Sequence, residues 1–173
     1  VWVGWPGQAV DDPAERDAVS RRLRAEHGAY PVFLDSELAQ GFYEGFSNGT
    51  IWPLFHYFNA YTTFEESHWE AYCRANEAFC EAVCEIARPG DQIWVHDYQL
   101  MLLPKLLRER LPDAAIGFFL HIPFPSSELF RLLPRRWGRA ILEGIAGADL
   151  VGFHTHDYTL HFLSSMLRVL GLE

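Results

Sequence analysis

Three hydrophobic runs of this chain each lead into a histidine. Gln92–Val95 leads into His96-Asp97, Ile116–Leu120 into His121, and Leu150–Phe153 into His154. Imidazoles and a carboxylate can orient a hydroxyl, carry a proton or meet a phosphate oxygen. Runs rich in Ile, Val, Phe and Trp, separated by helical patterns, predict parallel strands buried on both faces. Groups just past the carboxyl ends of such strands line the ligand crevice of open α/β sheets. The spacing therefore predicts one wall of a binding cleft, with titratable groups at three successive strand ends. A second cluster lies in Gly41–Tyr57, where Phe42, Tyr43, Phe46, Trp52, Phe55 and Tyr57 surround Ser47-Asn48-Gly49, which reads as a turn. Aromatics this dense either fill a core corner or form an apolar wall for a sugar, with Tyr OH and Trp N–H as polar handles.

The elements needed to position these groups follow from local signals. Val1–Gly7 reads as a short strand closing on Pro-Gly. Asp11-Asp12-Pro13 starts a charged helix that His27-Gly28 ends. Pro31–Leu34 is a second strand, and Asp35 or Ser36 caps a helix from Glu37 to about Phe46. Glu65–Ala87 is the longest helical pattern, stopped by Pro89-Gly90. Pro104 is tolerated only in a first turn, so the next helix begins near Leu102 or Leu103 and leaves Asp97 on a connection. There Asp97 could serve a site or cap the following helix. His121–Ser127 is a loop stiffened by two prolines, Arg136–Ala146 a helix, and Tyr158 to about Leu170 the last helix. Strand and helix in alternation predict an α/β domain, Rossmann-like and three-layered, with a mainly parallel sheet.

Composition narrows the classes. The chain has 173 residues, enough for one domain, and 49% of them are hydrophobic. A net charge of −9 argues against nucleic acid and against anionic membrane surfaces. The basic stretch Arg131–Arg139 reads as a solvated helix face or turn. No run is long and apolar enough for a membrane helix, and no basic, apolar leader opens the sequence, so a signal peptide is not visible in it. Val1-Trp2-Val3-Gly4 reads as a strand already under way, as in a piece of a longer chain. Cys73, Cys80 and Cys84 fit a reducing, cytoplasmic compartment and lie near one helical stripe, as small buried hydrophobes rather than metal ligands. Neither a Gly-x-Gly-x-x-Gly fingerprint nor a phosphate loop is present, so a self-contained dinucleotide or ATP site is not expected.

Five segments, in order, resemble one family. They are Val1–Gly7, Gly41–Tyr57 (with YEGFSNGTIWPLFHY), Trp94–Leu103 (WVHDYQLMLL), Gly117–Pro125 (GFFLHIPFP) and Asp149–Thr155 (DLVGFHT). Together they are similar to the retaining glycosyltransferases of family 20, the trehalose-6-phosphate synthases. The resemblance covers nearly the whole chain. It implies a GT-B fold, two Rossmann-like domains facing across a cleft, of which residues 1–173 match part of the amino-terminal, acceptor-side domain. The carboxy-terminal nucleotide-sugar domain is not expected within the chain.

The resemblance also implies the reaction. Glucose passes from UDP-glucose to glucose 6-phosphate with retention, giving trehalose 6-phosphate, with no metal and no cofactor. By motif, Tyr43 and Trp52 correspond to residues that help hold the acceptor phosphate. Asp97 corresponds to the acid contacting the acceptor sugar at the reaction centre, and His121 to the histidine touching the donor glucose. Asp97 and His121 are thus the expected catalytic pair. His96 and His154 stay open between a site role and a bond to backbone, while His156 and His161 are expected to be surface or packing residues. UDP departure and acceptor attack on one face would need no enzyme nucleophile, unlike a two-carboxylate glycosidase. The family's preceding strand, with its glycine-rich donor loop and an arginine, has no counterpart ahead of Val1. The second domain's basic residues have none after Glu173. The isolated chain is therefore expected not to turn over the two substrates, and its half cleft to self-associate, as in a homo-oligomer. The alternatives are a non-catalytic regulatory paralogue, a glucosylglycerol-phosphate synthase, or a pseudo-glycosyltransferase joining cyclitols.

Overall fold

Asp12 stops the first irregular stretch by accepting the amide proton of Glu15, and Pro13 supplies the fixed φ of a first helical turn. The computed structural model describes residues 1–171. Its strands are β1 (Trp2–Gly4), β2 (Ala29–Pro31), β3 (Gln92–His96), β4 (Ala115–Phe119) and β5 (Leu150–Gly152). Its helices are α1 (Pro13–His27), α2 (Ser36–Ala39), α3 (Trp52–Phe55), α4 (Glu66–Ile86), α5 (Leu103–Arg110), α6 (Ser127–Phe130), α7 (Arg135–Ile145) and α8 (His156–Ser165). A π-helix, Gln40–Ile51, joins α2 to α3, and a π-helical turn, Met166–Leu170, prolongs α8.

All strand pairs are parallel, and β4 is central in the order β3-β4-β5. β1 and β2 form a separate parallel pair. A cavity of about 370 Å3, lined by Trp2 and Val3 on one side and Ile93 and Val95 on the other, separates β1 from β3. Only β4 is well covered. The expected burial of the strands on both faces fails for β3, where the Trp94 side chain is 51% exposed, and for β5, whose residues are exposed or half-buried.

The largest departure from the sequence pattern is at Ser47-Asn48-Gly49. These residues continue a helix instead of turning, because tertiary packing overrides their local preference. Phe42, Phe46 and Ile51 of this element are buried, as are Leu54 and Phe55 of α3 just after it. Gly41 and Gly45 let it approach α4 closely. A Cβ at Gly41 would lie 2.7 Å from that of Ala71, and one at Gly45 would lie 2.6 Å from the His68 ring. The aromatic segment therefore divides: Phe42, Phe46 and Phe55 are core, whereas Tyr43 is half-buried and Trp52 and Tyr57 are exposed.

The far end of the sheet is latched by charge. Asp149 accepts the Ile116 amide proton at 2.8 Å and an Arg108 guanidinium proton at 2.7 Å. Arg108 also donates to the carbonyls of Pro112 and Ala114. The bond from Ile116, then the guanidinium, holds the Asp149 carboxyl below its ordinary range. A depressed folded value contributes stability above the unfolded carboxyl value, about 4, which is lost as pH falls through the folded value. Melting scans from neutral pH downward should show a shallower acid loss in Asp149→Asn than in the parent. Superimposable acid limbs would contradict this role.

The cysteines are free. Cys80 is buried and Cys84 half-buried, with sulfurs 4.0 Å apart. Burial pushes the Cys73 thiol up to about 11 and, with Cys84 next in effect, that of Cys80 to about 12. Such thiols stay protonated and unreactive at neutral pH. Among the described residues no cluster of three His, Cys, Asp or Glu side chains could hold a metal ion. Nor, among the described residues, is any helix long and apolar enough to cross a membrane.

Candidate functional site

The register of the parallel sheet places the chemistry. His96 pairs with Phe119, and Phe119 with Gly152, so the three chains leave the sheet at one level. Just beyond, the rings of His96 and His121 stack at 5.3 Å, and His154 meets His121 edge-on at 5.7 Å. His96 Nδ1 and His121 Nε2 are 3.0 Å apart, a hydrogen bond between imidazoles. Burial, then the neighbouring His121, holds the His96 pKa below its ordinary value, while Asp97 acts in the opposite sense.

Asp97 leaves β3 with φ of 73° and ψ of 174°, a strained backbone region populated almost entirely by glycine. Its amide donates to the Phe119 carbonyl at 2.8 Å, which continues the sheet ladder past the strand end. Its Oδ1 accepts the Tyr98 amide proton at 2.9 Å and the His121 amide proton at 3.1 Å. One carboxylate oxygen thus caps the following turn and ties the β4 exit to the β3 exit. The two readings of Asp97 are therefore compatible: the cap uses Oδ1, and among the described residues Oδ2 has no protein partner.

The turn after Asp97 is fixed from below. Tyr72 of α4 donates its hydroxyl proton to the Tyr98 carbonyl at 2.7 Å and accepts the Met101 amide proton. Asn76, wholly buried one turn further along α4, donates to the Gln99 carbonyl. Burial drives the Tyr72 hydroxyl pKa far upward, so it remains a proton donor. The Tyr98 hydroxyl donates to Asn48 Oδ1 at 3.0 Å, linking the turn to the π-helix. Its pKa is raised to about 12 by burial, then by Tyr43 and Asp97 nearby.

Tyr43 faces this corner and packs 5.5 Å from Trp5, whose indole N–H is buried without a partner. Nine residues from Tyr43 to Trp52 make two and a half turns at 3.6 residues per turn, but about two turns with the wider i→i+5 bonding of a π-helix. The π geometry therefore brings Tyr43, Asn48 and Trp52, none of them buried, to one side. Trp52 is 41% exposed, stacks on His56 at 4.2 Å and lies nearly parallel to Phe58. The contacts thus gather Asp97, His121, His96 and Tyr98, with Tyr43 beside them. Trp52 stands apart from them at the start of α3, its ring partners being His56 and Phe58.

His154 is exposed at the β5 exit and touches Phe119 as well as His121. His156 is exposed at the start of α8, and His161 bonds the Phe124 carbonyl in a packing role. The His121–Ser126 loop is pinned at two points. Phe124 is fully buried among Phe55, Phe130 and Phe162, and the Tyr57 hydroxyl accepts the Ser126 amide proton. Sequence reasoning missed Tyr72, Asn76, Asn48 and Tyr98. Polar residues inside the apolar face of a helix, as Asn76 is in α4, were the available signal.

Parallel strands whose titratable groups converge beyond their carboxyl ends define a Rossmann-like α/β domain with a crevice for ligand. The model of the family named Glycosyltransferase family 20 matches residues 1–173, and the chain belongs to that family. It is 55% identical over 175 aligned residues to the UDP-forming alpha,alpha-trehalose-phosphate synthase 1 of Aspergillus fumigatus, covering 99% of this chain and 33% of that one. It is 37% identical to the N-terminal domain of Candida albicans trehalose-6-phosphate phosphatase, with TM-score 0.83 over 99% of this chain and 36% of that one. The UDP-forming alpha,alpha-trehalose-phosphate synthase of Burkholderia xenovorans, solved with glucose 6-phosphate, aligns at TM-score 0.82 and 30% identity. That alignment covers 96% of this chain and 36% of the other. The chain therefore spans about a third of the length of these relatives.

Proposed function

We propose that residues 1–173 form the acceptor-side part of the amino-terminal domain of a UDP-forming alpha,alpha-trehalose-phosphate synthase. In this reading the whole protein transfers glucose from UDP-glucose to glucose 6-phosphate. Its own carboxy-terminal domain supplies the nucleotide site and closes the cleft above His121. The three free cysteines fit a cytoplasmic setting. The observation that carries the reading is the shared Asp97 oxygen, which holds the acid and the His121 backbone in one fixed unit at the mouth of the sheet.

The chemistry follows from that unit. Asp97 Oδ2 accepts a bond from the acceptor hydroxyl and aims its oxygen at the anomeric carbon of the donor. The hydroxyl proton passes to the departing UDP phosphate, on the face from which that phosphate leaves. The bond to the nucleotide breaks as the new glycosidic bond forms, and the configuration is kept. His121 contacts the donor glucose beside this carbon. Tyr43 OH and the Trp52 indole N–H donate to the acceptor phosphate.

The test is synthesis of trehalose 6-phosphate by the full-length protein from the two substrates; no product at any ratio of them overturns the reading. Trp52→Phe keeps an aromatic face and removes the N–H. A hydrogen bond to a charged group contributes roughly 1.5–3 kcal/mol, so KM for glucose 6-phosphate should rise roughly tenfold or more, with kcat changed far less. An unchanged KM would remove Trp52 from the phosphate site. A regulatory paralogue is the second reading, favoured by the likeness to a domain of a protein named as a phosphatase. Glucose 6-phosphate binding by the full-length protein without transfer would select it.

A further inference from the structure

We propose that His96 is a positioning residue for His121: its ring nitrogen fixes the orientation and the proton location of the imidazole that meets the donor sugar. The inference deepens the function proposed above and rests on it for the role of His121. The motivating contact is the 3.0 Å approach of His96 Nδ1 to His121 Nε2, with the two rings stacked within 27° of parallel. His96 is itself held. Trp2 stacks on it at 6.0 Å, Trp94 meets its edge at 6.1 Å, and it is the last residue of β3, paired in register with Phe119. His121, by contrast, is exposed and follows the last residue of its strand by two positions. A backbone bond to Asp97 fixes its main chain and leaves its side chain free to rotate about χ1 and χ2. The bond from His96 is the polar contact that holds the ring.

Proton location follows from the same bond. Burial, and then His121, keeps His96 below the ordinary histidine range, against the opposing pull of Asp97, so its ring is neutral at neutral pH. A neutral imidazole has one N–H and one bare nitrogen, and the bond made by one nitrogen sets the state of the other. If His96 Nδ1 donates, the proton of a neutral His121 sits on its Nδ1. If His96 Nδ1 accepts, that proton sits on Nε2. In either arrangement His121 offers the cleft a single kind of nitrogen, donor or acceptor. Without His96 both tautomers are populated, and only a fraction of molecules present the productive one.

Two variants of the full-length protein separate positioning from packing. His96→Phe keeps a ring between Trp2 and Trp94 and removes the nitrogen. His96→Asn removes the ring and places an amide close to where Nδ1 lay. Loss of the partner that orients a site imidazole lowers activity roughly ten- to a hundredfold in metal sites, and a fall in kcat of that size is expected for His96→Phe. KM for glucose 6-phosphate should stay within about twofold, as for an interaction made mainly in the transition state. His96→Asn should recover most of the loss. With nitrogen-15 histidine labelling, His121 should show one protonated and one bare ring nitrogen in the parent and in His96→Asn, and averaged signals in His96→Phe. A His96→Phe enzyme as active as the parent, an Asn variant no better than Phe, or His121 signals indifferent to both changes would overturn the proposal. Should the full-length protein make no trehalose 6-phosphate, the functional reading fails instead, and the nitrogen signals still test His96.

Discussion

Asp97→Ala in the full-length protein is expected to lower kcat by roughly two to three orders of magnitude, the scale seen when reacting groups lose their alignment. Two losses combine at this side chain. The acceptor hydroxyl loses the carboxylate oxygen that aims it, and the amides of Tyr98 and His121 lose their shared acceptor. The second loss frees the β4 exit from the β3 exit, so the His121 loop moves relative to the acceptor site. The backbone is involved as well, because position 97 is strained, with φ of 73° and ψ of 174°, and the two bonds to Oδ1 help to hold it there. Asp97→Asn separates these effects. Its amide oxygen can still accept both backbone protons and so hold the same turn. It should therefore keep the fold and the His121 loop while losing the charge that orders the acceptor. Intermediate kinetics for Asn, with an unchanged melting temperature, are the expected outcome. Equal activity of Ala and the parent would remove Asp97 from the reaction.

Phe46→Ala is expected to be the most destabilising single change near the site, by about 3–5 kcal/mol, the usual range for truncating a buried Phe. The ring is wholly buried and lies 4.5 Å from Tyr72, 5.1 Å from Trp69 and 5.6 Å from Trp137. It ties the π-helix to α4 and α7 at once. For a chain of this size the loss corresponds to a fall in Tm of roughly 10 °C or more, readable by calorimetry. The change also loosens the π-helix that carries Tyr43 and leads into Trp52 of α3, so KM for glucose 6-phosphate should rise more than kcat falls. Phe46→Leu, which refills most of the volume, should recover much of both. A Tm within a degree or two of the parent would show that the π-helix is held by other contacts.

The parallel α/β architecture was legible because its signals are local and repeated. Pro104 in a first turn, Asp12 and Asp35 as caps, and Gly28 closing α1 appear where the sequence places them, whereas the second strand is Ala29–Pro31 instead of the expected Pro31–Leu34. The convergence of His96, His121 and His154 was also legible, since strands in parallel register leave a sheet at one level. Ser47-Asn48-Gly49 was misread for a physical reason. Turn preference is worth a few tenths of a kcal/mol to about 1 kcal/mol per residue, whereas burying Phe42, Phe46 and Ile51 contributes about 2 kcal/mol each. Nor does spacing disclose π bonding, so the alignment of Tyr43 with Trp52 was invisible to helical periodicity. The shared oxygen of Asp97 and the imidazole bond between His96 and His121 are long-range contacts, which no local pattern encodes. Burial of β3 was overestimated because a run of apolar residues reports composition, not what covers it; Trp94 shows the difference.

The most direct trial is a crystal structure of the full-length protein soaked with glucose 6-phosphate. With the sugar seated at the sheet mouth, Asp97 Oδ2 should lie within hydrogen-bond reach of a ring hydroxyl, and the phosphate should meet Tyr43 OH and the Trp52 N–H. His121 should face the empty side of the same hollow, still bonded to His96. Density for the ligand elsewhere, or a phosphate bound away from both aromatic side chains, would contradict the assignment of this corner of the sheet to the acceptor.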